Sequence, residues 1–141
     1  MRRTSVAALP FEVVGSLDST SLPFRDGLAE AIDRRLTALH GLRVASPAST
    51  GNLAGQSVRD IGRAVGVELV LEGTLQCGAG RIRVTANLVD AALERSVMPA
   101  LRIERRCADL LSIRDEIART ICEGLAPSLA GTPAGRQTNR R

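Results

Sequence analysis

The side chains best suited to chemistry in this 141-residue chain are three cysteines, one histidine and a pair of carboxylates. Cys77, Cys107 and Cys122 are scattered, none forms a C-x-x-C pair, and His40 is the only histidine. A structural zinc site needs four nitrogen or sulfur ligands at short spacings, so this set predicts no metal centre. Each cysteine suits burial as a small apolar side chain. A thiol-dependent activity would instead require one of them to be exposed and readily ionised. Asp26 and Glu30 stand four apart, a spacing that puts two carboxylates on one helix face and allows acid–base work. With no His or Lys near them in sequence, they fit charges complementing a helix dipole better. His40 precedes Gly41, where an imidazole at a helix end favours the dipole; a pH sensor is the alternative reading. Gly78-Ala79-Gly80 is glycine-rich, but a phosphate loop leads into a helix, and here a strand pattern follows. These residues predict a chain that is not an enzyme and needs no cofactor.

Two binding sites remain as expectations. The stretch 46–56 is a loop by composition and leads to Ser57 at the start of a helical pattern. Ser46, Ser49, Thr50 and Ser57 carry hydroxyls that can donate to an anion, helped by free amides at that helix start. In open parallel α/β sheets ligands favour this edge. The second candidate is a partner contact through Glu72, Arg83, Arg102 and Arg106, which fall on outward positions of strand patterns. Arg102, Arg105 and Arg106 lie close together, and Arg105 alternates to the opposite side. Arginines on an edge strand also discourage unwanted pairing.

Charge narrows the partner. All 19 basic residues are Arg, and the formal net charge is +4. Arg2, Arg3, Arg136, Arg140 and Arg141 lie near the ends, and the body between holds 14 Arg against 15 acids. A nucleic-acid surface needs its positive excess gathered on one folded face, so no specific nucleic acid is expected. Aromatics are 1% of the chain, so the core must be built from Leu, Ile, Val and Ala. No apolar run approaches the roughly 18 residues of a membrane span, and the run 6–9 is too short for a secretory core. The chain reads as cytoplasmic, with no membrane partner.

Periodicity supplies the elements. Residues 5–9 read as a buried strand, followed by a polar loop from Gly15. Phe24, Leu28, Ile32, Leu36 and Leu39 share one face of a helix over 23–39. Residues 42–45 form a second strand. Ser57 caps a short helix with Asp60 three residues on, Val58, Ile61 and Val65 form its apolar face, and Gly66 ends it. Residues 67–77 and 81–90 alternate as a hairpin. A Gly78-Ala79 turn would pair Cys77 with Gly80 and set Glu72 beside Thr85, with Arg83 on the diagonal. Residues 100–106 form a further strand that Pro99 places at an edge or at its own start. A last helix spans 109–125 through Leu110, Ile113, Ile117, Ile121 and Leu125. The order is β-α-β-α-β-β-β-α, an α/β class with helices on a mixed sheet of four to five strands. The first two strands should be parallel through a right-handed crossover, and the last three should form a meander. The domain spans 5–126, between a short tail at 1–4 and a disordered Pro/Gly/Arg tail at 127–141.

Several stretches resemble the TolB amino-terminal-domain-like family, in order along the chain. Ser5-Val6-Ala7-Ala8-Leu9-Pro10-Phe11 resembles its opening strand, and Phe24-Arg25-Asp26-Gly27-Leu28-Ala29-Glu30 its first helix. Gly41-Leu42-Arg43-Val44 is similar to its second strand. Val58-Arg59-Asp60-Ile61-Gly62-Arg63 and Gly66-Val67-Glu68-Leu69-Val70-Leu71-Glu72-Gly73 resemble its second helix and third strand. The stretch from Arg81 to Ala91 is similar to its fourth strand, and Asp115-Glu116-Ile117-Ala118 to its last helix. The resemblance covers roughly residues 5 to 126. It implies a non-enzymatic α/β module that accompanies bacterial adenylate cyclases, winged-helix regulators, protein kinases and tetratricopeptide arrays. Such relatives usually carry a Thr-Gly turn and then a Trp, where this chain has Leu93-Glu94 and Met98-Pro99. The expected function is a protein-interaction or signal-input module of a bacterial regulatory system. Its partner would be a protein or a neighbouring effector domain, or a second copy through an edge strand. A small-molecule or anion receptor using the 46–57 loop is the alternative.

Overall fold

A computed structural model describes residues 4–15, 21–39, 41–45, 56–106 and 109–138. Among these residues seven strands form one mixed sheet. In chain order they are β1 (Thr4–Ala8), β2 (Glu12–Val14), β3 (Leu42–Val44), β4 (Leu69–Gly78), β5 (Arg81–Asp90), β6 (Arg95–Ser96) and β7 (Leu101–Arg106). Among the described residues three helices pack on it: α1 (Ser21–Thr37) between β2 and β3, α2 (Val58–Val65) before β4, and α3 (Leu110–Thr138) after β7. The α/β class and the mixed sheet are as the sequence predicts. The parallel pairing of β1 with β3 and the antiparallel run from β4 through β5 to β7 are also as expected. The strand count is higher because β2 and β6 were not legible as separate strands.

The hairpin forms with a different register. Gly78 pairs with Arg81 and Cys77 with Ile82, so the turn residues are Ala79 and Gly80. Both have positive φ, 52° and 71°, as a two-residue turn of the twist-matching type requires. Glu72 therefore faces Asn87, Thr85 faces Thr74, and Arg83 faces Gln76. The expected pairing is displaced by two residues. A slip of two leaves every side chain on its own face, so alternation could not distinguish the two registers.

Two bulges explain the missed strands. Ala8 lies beside Leu71 and Glu12 beside Thr74, so four steps along the first edge match three on β4. The extra residue falls around Pro10, which has no N–H to give to a ladder. It reverses the alternation: Val6 and Ala8 point to the main core from β1, whereas Val13 does so from β2. On the other side, Val89 pairs with Ser96 and Ala86 with Leu101, so three steps on β5 match five on the outer strand. The surplus sits at Met98-Pro99.

The main core lies between one sheet face and the two long helices. Phe24, Leu28, Ile32 and Leu36 of α1 meet Ile113, Ile117, Ile121 and Leu125 of α3 over Leu69, Leu71, Leu75, Val84 and Leu88. Burying each such side chain stabilises the fold by roughly 1.5–3 kcal/mol. Leu39, expected on the same face, lies beyond the end of α1 and is 36% exposed. The last helix does not stop near Leu125. It runs past Pro127 to Thr138, and Leu129 joins the core in the stretch expected to be a tail. On the opposite face, α2 covers a smaller cluster of Ala7, Ala45, Ile61, Val67, Val70 and Ala91. The Ser57 hydroxyl accepts the Asp60 N–H at 3.1 Å, and Gly66 closes α2 at φ 71°.

Gly73 is held by close approach. A Cβ there would collide with the Thr85 carbonyl and lie 3.0 Å from the Phe11 ring, which fills the gap over the glycine. Gly73→Ala is expected to cost about 1–3 kcal/mol by overpacking. Gly78→Ala, whose Cβ meets nothing within 4 Å, should cost much less. Urea unfolding of both variants checks the contrast. At the β5–β6 turn, Glu94 takes φ 54°, in the left-handed region that favours glycine. Glu94→Gly should relieve about 1 kcal/mol of left-handed strain and raise Tm by about 3 °C in a thermal melt.

Candidate interaction face

On the sheet face that carries α2, no described helix covers the part formed by the far ends of β4 and β5 and by β7. Alternation puts Glu72, Thr74 and Gln76 of β4, Arg81, Arg83, Thr85 and Asn87 of β5, and Arg102, Glu104 and Arg106 of β7 on this side. The apolar partners of the same strands, such as Val84 and Ile103, turn to the core. Glu12 and Val14 extend the face through β2 beside Thr74 and Gln76. The surface is polarised: Glu12 and Glu72 stand toward β2 and β4, and the four arginines stand toward β5 and β7.

Glu104 anchors the basic half. Its carboxylate lies 3.3 Å from Arg81 and 3.7 Å from Arg83 across the β5–β7 pair. Both pairs are well exposed, so each contributes no more than about 1 kcal/mol. Their effect is to hold the guanidinium groups in place. A shallow groove of about 310 Å³ runs between Gln76, Gly78, Ala79, Arg81, Arg83 and Glu104. No ion pair to Arg102 or Arg106 forms among the described residues. Arg105 turns to the opposite side and pairs with Glu116 of α3 at 2.9 Å.

Glu72, Arg83, Arg102 and Arg106, the residues expected to make a partner contact, therefore share one face. Arg81 and Glu104 belong with them and were not singled out; their place in the same alternation was the available signal. Ser46, Ser49 and Thr50 lie outside the described residues. Ser57 is exposed, but its hydroxyl is engaged by its own helix. His40 and Cys107 also lie outside the described residues. Asp26 and Glu30 are exposed on α1, with Asp26 held by Arg25 at 3.1 Å. Among the described residues no group of three or more His, Cys, Asp or Glu can hold a metal ion. No helix among them is long and apolar enough to cross a membrane.

Known proteins share the architecture. The chain is 31% identical over 140 residues to putative adenylate cyclase 3 of Rhizobium meliloti, a match covering 98% of this chain and 24% of that protein. It thus spans about a quarter of the curated relative it matches. Among solved structures, the lipoprotein GNA1162 of Neisseria meningitidis superposes with a TM-score of 0.59 at 16% identity, over 89% of this chain and 99% of that one. TolB of Acinetobacter baumannii superposes at 0.58 and 15% identity, over 90% of this chain and 29% of that one. These likenesses establish a fold shared with TolB and with this lipoprotein. No family model matches the chain.

Cys122 is buried in the main core, 3.9 Å from the Ile32 carbonyl. Burial pushes its thiol from an ordinary 9.0 up to about 11, with the nearby Arg35 opposing and Glu123 adding to the shift. The folded pKa lies above the unfolded value. The contribution of the protonated thiol is therefore intact below pH 9 and lost as pH rises through about 11. In the native protein, iodoacetamide at pH 8 should leave Cys122 unmodified until denaturant is added. Peptide mass spectrometry reads the site directly, and rapid native labelling would contradict the assignment.

Proposed function

We propose that this chain is a non-enzymatic protein-interaction or signal-input module of a bacterial regulatory system. In this reading it works in the cytoplasm by docking its open sheet face on a protein partner or a neighbouring effector domain. The uncovered, polarised surface around Glu104 carries the proposal. Two helices complete the core on one face, whereas the other leaves ordered arginines facing solvent. A surface of this kind suits an acidic protein patch, for which charge complementarity supplies orientation and encounter rate. The relative named a putative adenylate cyclase supports the regulatory setting, because this chain corresponds to only a quarter of it. Specific nucleic-acid recognition fits less well, since Glu12, Glu72 and Glu104 interrupt the positive surface.

A photo-crosslinking amino acid at Gln76, in the groove, tests the assignment in cells of the source organism. The control position is Glu123, exposed on α3. The expected result is a discrete adduct to another protein from position 76, absent from position 123 and lost with Arg83→Glu plus Arg102→Glu. Equal adducts from both positions, no adduct, or an adduct indifferent to charge reversal would overturn the proposal.

A further inference from the structure

β7 pairs with β5 along one side only, and among the described residues no strand occupies its other edge. It is six residues long, against three for β3 at the far edge of the sheet. An edge of this length is a template for another strand unless its side chains prevent it. A purely protective edge needs only charge. This one alternates in sign along its exposed side, with Arg102, Glu104 and Arg106, and carries buried Ile103 between the first two.

We propose that β7 is a self-pairing edge, joining a second copy of this chain antiparallel around a two-fold axis at Ile103. In that register Ile103 meets Ile103 on the helix-covered side. Arg102 faces the second copy's Glu104, and by symmetry the pair occurs twice. Leu101 lies opposite the aliphatic stem of Arg105. An axis at Arg102, Glu104, Arg105 or Arg106 would set that charge against itself. An axis at Leu101 would place Pro99, which lacks an N–H, opposite Ile103. Any register between residues would bring side chains from opposite faces together. The Ile103 register joins an apolar centre to two opposite-charge pairs and no like-charge pair. Arg102, which has no ion-pair partner among the described residues, would gain one. A carboxylate offers about four acceptor sites, so Glu104 can keep Arg81 and Arg83 while accepting it. A single strand pair is a small contact, at the low end of specific interfaces below about 1,200 Å², so the dimer should dissociate on dilution.

The edge shares Arg102 and Glu104 with the open face, so the readouts separate the two assignments: self-association of the purified chain reports the edge, and an adduct to a different protein reports the face. Sedimentation velocity over a wide dilution series of the full chain tests the edge. Wild type is expected to shift from dimer to monomer on dilution. Arg102→Glu alone and Glu104→Arg alone are each expected to be monomeric, because each puts like charges opposite one another. Mixed, these two variants should form a heterodimer, and the double variant in one chain should recover the homodimer. Glu104→Gln, which adds no repulsion toward Arg81 or Arg83, should weaken the dimer about tenfold. Far-UV circular dichroism confirms the fold of each variant. A wild type that stays monomeric throughout, or folded single variants that fail to pair on mixing, would overturn the proposal.

Discussion

The ten-pair ladder between β4 and β5 is the frame on which the other elements are measured. Its turn closes where Ala79 and Gly80 take positive φ, and from there the pairing runs unbroken to Leu69 and Asp90. The ladder aligns Leu69, Leu71 and Leu75 with Val84, Ala86 and Leu88 on one side, and that apolar strip receives α1 and α3. The outer edge of β4 takes β1 and β2, and the outer edge of β5 takes β6 and β7. A one-residue slip would turn the strip to solvent and remove the seat of both helices.

Both outer edges are interrupted beside a proline. At Pro10 one surplus residue changes the phase of the strand, and Phe11 folds over Gly73 to fill the resulting gap. At Pro99 two surplus residues leave the phase unchanged and set β7 back into register against β5. The difference follows from the period of two. An odd surplus exchanges the faces and an even one preserves them. Arg102, Glu104 and Arg106 therefore stand on the same side as Arg81 and Arg83, and the polarised open face exists because of that parity.

The two faces of the sheet do different work. One is closed by long helices over a core whose aromatic residues are Phe11 and Phe24, the two aromatics of the chain. On the other, among the described residues, α2 covers Ala7 and Val70, and β5 and β7 present polar side chains braced by cross-strand ion pairs. The groups with reactive potential are dispersed through this arrangement. Cys122 is sealed in the core with its proton held, and Asp26 is tied to its neighbour on the surface. The ordered charge of Arg81, Arg83 and Glu104 instead lines a shallow groove on the open face.

Much of this was present in the sequence. The four-residue spacing of Phe24, Leu28, Ile32 and Leu36, the Ser57 cap with its Gly66 stop, and the alternation of residues 81–90 determined the elements and which side of each is apolar. Those features depend on neighbours within a turn or two of chain, so the sequence is sufficient for them. The alternation also put Glu72, Arg83, Arg102 and Arg106 on outward positions. Only the tertiary structure decided that these residues share one face, that Glu104 lies among them, and which of two in-phase registers the hairpin takes. It also decided where the last helix ends, because Leu129 finds a place in the core that local composition, with Pro127 beside it, does not reveal. Each of these depends on which strand lies beside which and on how many residues a bulge absorbs. Such pairings join residues far apart in the chain, and a period of two is blind to them.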